Sequence, residues 1–141
     1  MEFLEHKIGY LFKVITDKIK IKADADLKKH GLTITQTRVL TFLNNNGGEA
    51  TQKEIEEFLQ VSHPTIVGVV SRMENNGFLI TWLDPSDRRN KIVKLTDKSI
   101  SVVKEIKSLI HLHDKKMLNT LTQEQIETLE ETLKIICKNL D

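Results

Sequence analysis

One stretch of the sequence presents side chains that can hydrogen-bond to a flat polar surface. Residues 62–75 have helical spacing, and the face that must be buried consists of Ile66, Val69, Val70 and Met73. The opposite face is small or hydrogen-bonding where a merely solvated helix would carry Lys and Glu, and it contains Pro64, Thr65, Gly68, Ser71, Arg72 and Asn75. Such side chains suit base edges in a DNA major groove. The spacing therefore predicts a recognition helix.

Two adjacent arginines, Arg88 and Arg89, are the second feature with recognisable chemistry. They lie in a turn-rich segment between two runs of strand length, residues 78–83 and 91–95. A hairpin with such a tip can reach a minor groove, where concentrated negative potential favours arginine. A charged tip can also be a solvated turn. We interpret Asp87 as an orienting partner for Arg89 rather than as a catalytic acid.

The helix before the recognition helix has its own start signal. Thr51 and Glu54 have the spacing of a capping box, and the helix that they open is predicted to carry an apolar face of Ile55, Phe58 and Leu59. Residues 60 and 61 form a short turn, Ser62 caps the recognition helix, and Gly77 ends it. A helix-turn-helix that continues into a hairpin is a winged helix.

Helices on both sides complete the architecture. The first helix ends at His30 and carries an apolar stripe of Ile8, Leu11, Phe12, Ile15 and Ile19; its amphipathic pattern already starts within residues 1–6. The second is capped by Thr33 or Thr35 and has a core face of Val39, Leu40, Phe42 and Leu43. After the hairpin, Thr96 opens a further helix.

The last helix begins at a second capping box, residues 122–125. Apolar residues then recur at heptad spacing, at Ile126, Leu129, Leu133, Ile136 and Leu140. Such a stripe requires a partner helix, which predicts a homodimer built from the first and last helices; packing on the first helix of the same chain is the alternative. The fold class predicted is mainly α, as one domain over residues 1–141. Its winged helix spans residues 31–95, and its dimerisation helices span residues 1–30 and 96–141.

Composition and charge bound the function. The chain has 141 residues and a net charge of +1, so any preference for nucleic acid must come from local basic residues rather than from total charge. No segment is apolar enough to span a membrane or serve as a secretion signal. The single cysteine, Cys137, cannot form an intrachain disulfide, which suits the cytoplasm, and it is expected to be a buried apolar residue.

Enzyme chemistry finds little support. No nucleophile–base pair, phosphate-cradling glycine loop or Cys–His metal spacing is visible, so no catalytic residue, metal or cofactor is predicted. His111 and His113 point to different faces of a helix, and a metal site at His111 would need ligands from the first helix, such as His6 or His30.

The chain resembles the MarR family (multiple antibiotic resistance regulators) over essentially its whole length. The matching pieces are Gly31-Leu32-Thr33 with Gln36, residues 62–77, Asp87-Arg88-Arg89, and Val93-Lys94-Leu95-Thr96. The resemblance implies an obligate dimer that binds a palindromic operator, and an effector that weakens DNA binding. One departure stands out: Thr81 and Trp82 occupy positions where many relatives carry arginines.

This interpretation assigns each candidate residue a role on double-stranded DNA. The segment from Ser62 to Arg72 is expected to enter the major groove, and the residues expected nearest the bases are His63, Pro64, Thr65, Gly68 and Ser71. Arg72 is expected near phosphate, and so are Thr51 and Gln52, because helix N-termini favour anions. Arg89, with Arg88 beside it and Asp87 orienting it, is expected to read the minor groove.

The resemblance also suggests a phenolic or other aromatic anion as effector. Apolar residues with basic neighbours suit such a ligand, and the candidates are Phe12, Lys13, Phe42 and Met117. The three apolar candidates can equally be plain core. From another functional class, the alternative is a helical protein–protein interaction module without DNA binding, which the acidic segment 54–57 favours.

Overall fold

The helices begin and end close to the signals in the sequence. The computed structural model describes residues 7–141, so the amphipathic start predicted for residues 1–6, with His6, lies outside the described residues. In chain order the described elements are α1 (Ile8–Lys29), α2 (Ile34–Asn45), β1 (Glu49–Thr51), α3 (Gln52–Leu59), α4 (His63–Asn75), β2 (Leu79–Leu83), β3 (Lys91–Leu95), α5 (Asp97–Met117) and α6 (Gln123–Asn139). The fold is therefore mainly α-helical with a small antiparallel sheet, as predicted.

Capping boxes define three helix starts. The N-cap threonines Thr33, Thr51 and Thr122 each accept a hydrogen bond from the backbone N–H three residues later. The side chain at that third position reaches back to the N-cap N–H in each case. Thr33, rather than Thr35, therefore caps α2. Each box satisfies two backbone donors that the helix itself leaves unpaired.

The recognition helix ends in a Schellman motif. The N–H of Phe78 donates to the carbonyl of Met73 (2.9 Å), and the N–H of Gly77 donates to that of Glu74 (3.0 Å). Gly77 has a φ of +81°, which only glycine adopts without strain. Because the N–H of Phe78 is used in this motif, the strand predicted from residue 78 begins at Leu79 instead.

The sheet has three strands in the order β1-β3-β2, where the sequence predicts only the β2–β3 hairpin. The unpredicted strand, β1, pairs antiparallel with β3 and places Ala50 opposite Val93. Three residues are too short a run to show a strand period. The hairpin register places Trp82 opposite Ile92, on the face turned away from the buried Leu79 and Val93.

The chain divides into two compact units, the first ending at Glu105 and the second running from Ile106 to Asp141. The first unit holds a core to which its helices and strands contribute, including Leu40, Leu43, Ile55, Ile66, Val70, Met73, Leu79 and Val93. Phe58 is not part of it: 55% of this residue is exposed. Its ring stacks on Phe42 at 4.6 Å between centroids, so the apolar face predicted for α3 includes one mainly exposed residue.

The second unit contains the heptad stripe. No residue of α6, all of which the structure describes, is buried, and Leu129 and Leu133 are 40% and 36% exposed. Cys137 is exposed as well, so its expected burial was wrong for the single chain. Exposed apolar residues of this kind require cover. Within residues 7–141, none of the helices combines the length and apolarity of a membrane span.

Replacement of the Thr33 cap should cost stability at one defined position. We expect Thr33→Ala to lower the free energy of unfolding by about 1 kcal/mol, the usual contribution of a threonine N-cap. Thr35→Ala is the matched control, because Thr35 caps no helix, and it should cost less than about half as much. Urea unfolding at equal protein concentration measures both, and equal losses would contradict the assignment of the cap.

Candidate nucleic-acid interface

The recognition helix α4 has one buried and one exposed face. Its buried face consists of Ile66, Val69, Val70 and Met73, as the spacing predicts. Ser62 caps the helix by accepting from the N–H of Thr65 (3.3 Å), and Pro64 lies in the first turn. The residues predicted nearest the bases remain on the solvent side: His63, Pro64, Thr65 and Ser71 are exposed and Gly68 is half-buried, and the N-cap Ser62 is exposed as well. This face is open to a ligand.

Gly68 makes room for the side chain of Arg72. A Cβ atom at position 68 would lie 3.3 Å from Nη1 of Arg72 and 3.7 Å from its Cζ. The guanidinium therefore lies along the helix, one turn towards the N-terminus from its own Cα, as long helical side chains do. It is exposed there and places a positive charge on the same face as Ser71.

His63, the first residue of α4, is held by a carboxylate from α3. Its Nδ1 is hydrogen-bonded to Oε1 of Glu56. The Glu56 side chain is 19% exposed, whereas that of His63 is 70% exposed. The sequence offered Glu56 only as part of an acidic segment that counted against DNA binding. In the structure this acid is engaged with a residue of the recognition helix.

The start of α3 gives less support to a phosphate contact than the sequence suggested. Glu54 Oε1 accepts from both the backbone N–H (3.1 Å) and the hydroxyl (3.0 Å) of Thr51, which places a negative charge at this N-terminus. Gln52 is only 8% exposed, and its Oε1 is buried without a hydrogen bond to any described residue. A phosphate contact through the Gln52 side chain would need that side chain to turn outwards.

The wing tip is ordered by two aspartates. Asp84 Oδ1 accepts from the N–H (2.9 Å) and hydroxyl (2.7 Å) of Ser86, and these bonds lower the pKa of Asp84. Asp87 forms a bidentate pair with Arg89, Nε to Oδ1 at 3.0 Å and Nη2 to Oδ2 at 3.1 Å. The predicted pairing of Asp87 with Arg89 is confirmed by these two hydrogen bonds. The Arg89 side chain itself is 90% exposed.

The Asp87–Arg89 pair persists over the physiological pH range. The side-chain and backbone hydrogen bonds of Arg89 lower the pKa of Asp87. A lowered carboxyl pKa means that the pair is present above the ordinary aspartate value of about 3.9 and is lost only as the pH falls below it. Arg88 is exposed beside Arg89 and forms no ion pair with any residue that the structure describes. The tip thus presents two guanidinium groups.

Thr81 and Trp82 have local structural roles. The hydroxyl of Thr81 donates to Glu74 on the recognition helix, which links the hairpin to α4. Trp82 is 39% exposed and faces Ile92 across the strand pair, so it packs on the outer face of the sheet.

The start of α5 is tied to the turn between α4 and β2. Three successive backbone carbonyls, those of residues 76–78, accept hydrogen bonds from side chains there. Lys98 Nζ donates to the carbonyl of residue 76 (2.8 Å), and Thr96 Oγ1 donates to that of residue 77 (2.8 Å). The fully buried hydroxyl of Ser99 donates to the carbonyl of residue 78. Lys98 also lies 4.3 Å from the ring centroid of Phe78. The end of the recognition helix is therefore fixed to α5.

The residues named as effector contacts lie in different surroundings. Phe12 is half-buried on α1, and the neighbouring Lys13 forms an exposed ion pair with Asp17 (2.9 Å) that raises the pKa of Lys13. Phe42 on α2 is accounted for by its stack on Phe58. Met117, the last residue of α5, is 51% exposed.

One of the histidines discussed as a metal ligand has another partner. His30 pairs with Glu105 (3.3 Å). Nowhere in residues 7–141 do three His, Cys, Asp or Glu side chains come together in a way that could hold a metal ion.

Sequence comparison gives relatives of one kind. The MarR family profile matches residues 30–90. The chain is 26% identical over 137 residues to the uncharacterised HTH-type transcriptional regulator YfiV of Bacillus subtilis. The aligned residues make up 97% of this chain and 85% of YfiV. It is 29% identical over 113 residues to the HTH-type transcriptional regulator MhqR of the same organism. The aligned residues make up 80% of this chain and 77% of MhqR.

Solved structures extend the similarity across almost the whole chain. MepR, a transcription regulator of the Staphylococcus aureus multidrug efflux pump MepA, superimposes with a TM-score of 0.81 at 26% identity, over 96% of this chain and 99% of MepR. The crystal structure of a MepR–DNA complex gives a TM-score of 0.76 at 26% identity, over 97% of this chain and 99% of that one. The similarity thus includes the helices on both sides of the winged helix.

Proposed function

Because the chain belongs to the MarR family of winged-helix transcription regulators, we propose that it is a homodimeric repressor of transcription. It binds a palindromic operator in double-stranded DNA and is released by a small aromatic effector. A regulator of this kind acts on the chromosome, which places it in the cytoplasm. Catalysis has no part in this function.

A single observation carries the DNA-binding part of the proposal. The solvent face of α4 presents hydrogen-bonding side chains and Arg72, with a wing beside it whose Arg89 is oriented by Asp87 and almost fully exposed. One of the similar solved structures, a MepR–DNA complex, was crystallised with DNA. Both features favour DNA binding over a pure protein-interaction module. The acidic residues Glu54 and Glu56 form hydrogen bonds within the helix-turn-helix, to Thr51 and His63 respectively.

Operator recognition also requires two copies of the chain. In a palindromic site the two recognition helices meet half-sites about 34 Å apart, one turn of DNA. The apolar residues left exposed on α1 and α6 include Ile8, Leu11, Ile15, Ile19, Leu129 and Leu133. A two-fold interface between identical chains would cover such stripes, since each copy presents the same patch. We therefore assign the first and last helices to dimerisation.

A gel-shift assay tests the proposal as a whole. Labelled DNA from the region upstream of the chain's own coding sequence should give a complex that resists an excess of unlabelled scrambled DNA. Affinity should fall steeply with salt, because phosphate contacts release counterions. Complexes that scrambled DNA removes as readily as the specific fragment would favour the protein-interaction module instead.

Release by a small molecule is the regulatory part of the proposal. An effector that binds the free dimer better than the DNA-bound dimer shifts the equilibrium towards release. The candidate contacts in the first unit are Phe12, Lys13 and Phe42. Lys13 is available to an anion because its ion pair with Asp17 is exposed and is screened by solvent.

Salicylate is the simplest probe of this regulation. Millimolar salicylate should release the protein from a preformed complex with its operator, as measured by fluorescence anisotropy, while sodium chloride at equal ionic strength should release much less. Lys13→Gln should raise the concentration needed for release and leave operator affinity unchanged. If salicylate and a panel of other aromatic anions neither bind nor release DNA, the aromatic-effector part of the proposal fails.

A further inference from the structure

The hydrogen bond between His63 and Glu56 determines what the imidazole can recognise. A carboxylate only accepts hydrogen bonds, so Nδ1 of His63 must carry the proton that it shares with Glu56. In the neutral ring Nε2 is then the acceptor. Nε2 forms no hydrogen bond with any residue that the structure describes, and 70% of the side chain is exposed. In its neutral form the ring therefore turns an acceptor towards the solvent at the start of α4.

From this geometry we propose that His63 is a specificity-determining residue that accepts a hydrogen bond from a base amino group, and that Glu56 is the positioning residue that fixes its tautomer. The inference rests on the proposed DNA-binding function and names one element of its specificity. In the major groove, adenine N6 and cytosine N4 are donors, whereas guanine and thymine present acceptors at the corresponding edge. His63 therefore selects adenine or cytosine over guanine or thymine at one position of each half-site.

The arrangement of charge supports the role of Glu56. A carboxylate near DNA is repelled by phosphate unless a nearby donor pairs with its charge. The Glu56 side chain is mostly covered, at 19% exposed, and its oxygen is directed at the imidazole. The neighbouring Glu57 is exposed on the same helix and carries the same charge. The pair Glu56 and Glu57 thus separates the tautomer effect from the effect of charge alone.

Nitrogen NMR of the free protein tests the tautomer without DNA. In ¹⁵N-labelled protein at alkaline pH, with the ring neutral, the His63 signals should show Nδ1 protonated and Nε2 unprotonated; His63→Gln assigns them among the histidines. Glu56→Gln should shift His63 towards the Nε2-protonated form, because an amide can donate as well as accept. Glu57→Gln should leave the His63 signals unchanged. A wild-type His63 protonated at Nε2 would overturn the inference.

Selection of binding sites from a randomised DNA library tests the recognition step. The wild-type protein should enrich a palindrome with one half-site position at which adenine or cytosine is preferred about tenfold, the discrimination of about one good base contact. That preference should fall to less than about threefold in His63→Ala and Glu56→Gln, with the other positions retained. Glu57→Gln should keep it.

The two levels of the hypothesis fail differently. If the wild-type protein enriches a palindrome but Glu56→Gln and His63→Ala enrich the same one with unchanged preferences, the inference is wrong and DNA binding stands. If the wild-type protein enriches no sequence, the proposed function fails and the inference fails with it. Thermal unfolding of each variant, expected to match the wild type, confirms that a lost preference is not lost folding.

Discussion

Arg89→Ala should weaken binding to the operator about 5- to 150-fold, or about 1–3 kcal/mol, at near-physiological salt. The physical reason is the exposure and orientation of the guanidinium. The Arg89 side chain is 90% exposed, and both of its hydrogen bonds to Asp87 fix its direction before DNA arrives. An arginine that is ordered in advance loses less conformational entropy when it enters a groove. Fluorescence anisotropy with labelled operator measures the change.

Three matched variants separate orientation from charge. Arg88→Ala removes an equal charge from the adjacent residue, which has no orienting partner among the described residues, and it should weaken binding less. Arg89→Lys keeps the charge but loses the bidentate geometry with Asp87, and it should fall between wild type and Arg89→Ala. Asp87→Ala should also cost less than Arg89→Ala. Operator affinity unchanged in Arg89→Ala would show that the wing is a passive hairpin.

The double change Leu133→Glu with Ile136→Glu should convert the dimer into monomer or insoluble protein. Both residues belong to the heptad stripe of α6, where Leu133 is 36% exposed and Ile136 half-buried in the single chain. Two charges placed in an apolar interface lose their hydration without gaining partners. A monomer meets one half-site only, so operator affinity should fall by about 10²–10⁴-fold through loss of the linked second contact.

A second variant of α6 controls for the effect of the added charge alone. Thr128→Glu with Ile135→Glu adds two carboxylates to exposed positions of α6 outside the stripe, and this variant should remain a dimer. Sedimentation velocity at micromolar concentration distinguishes the two outcomes. A wild-type protein that sediments as a monomer, or a stripe variant that remains dimeric, would contradict the assignment of α6 to the interface.

Features encoded by neighbouring residues could be predicted from the sequence. Thr51 and Glu54 form their capping box within one turn. At the end of α4, Gly77 donates to the carbonyl three residues earlier and Phe78 to the carbonyl five residues earlier. The buried face of α4 follows from helical spacing alone. The pair of Asp87 and Arg89 spans only two residues. Each of these depends on local geometry, which spacing in the chain determines.

Features that depend on how distant segments pack could not be predicted in the same way. The bond between Glu56 and His63 crosses a turn whose angle no residue count gives, so the sequence showed this acid only as part of the acidic segment 54–57. Strand β1 exists because Ala50 reaches β3, more than forty residues later. The hydrogen bond from Lys98 to the carbonyl of residue 76 is equally non-local.

Two residues show that hydrophobic character alone does not determine burial. Phe58 shares its helical spacing with Ile55 and Leu59, yet it is 55% exposed whereas those two residues are buried. Cys137 was expected inside and is exposed on α6. The described chain is a single copy, and the cover proposed for α6 comes from a second one.

Footprinting of the operator tests the central claim, a dimer with two recognition helices and two wings on DNA, most directly. Methylation of guanine N7 in the major groove should be blocked in two patches whose centres are about one turn apart, roughly 10 base pairs. Hydroxyl-radical cleavage should be reduced in the minor groove flanking each patch, and Arg89→Ala should restore cleavage there while the major-groove protection remains at saturating protein. Protection that covers the fragment uniformly, or a single protected patch at saturation, would contradict the account.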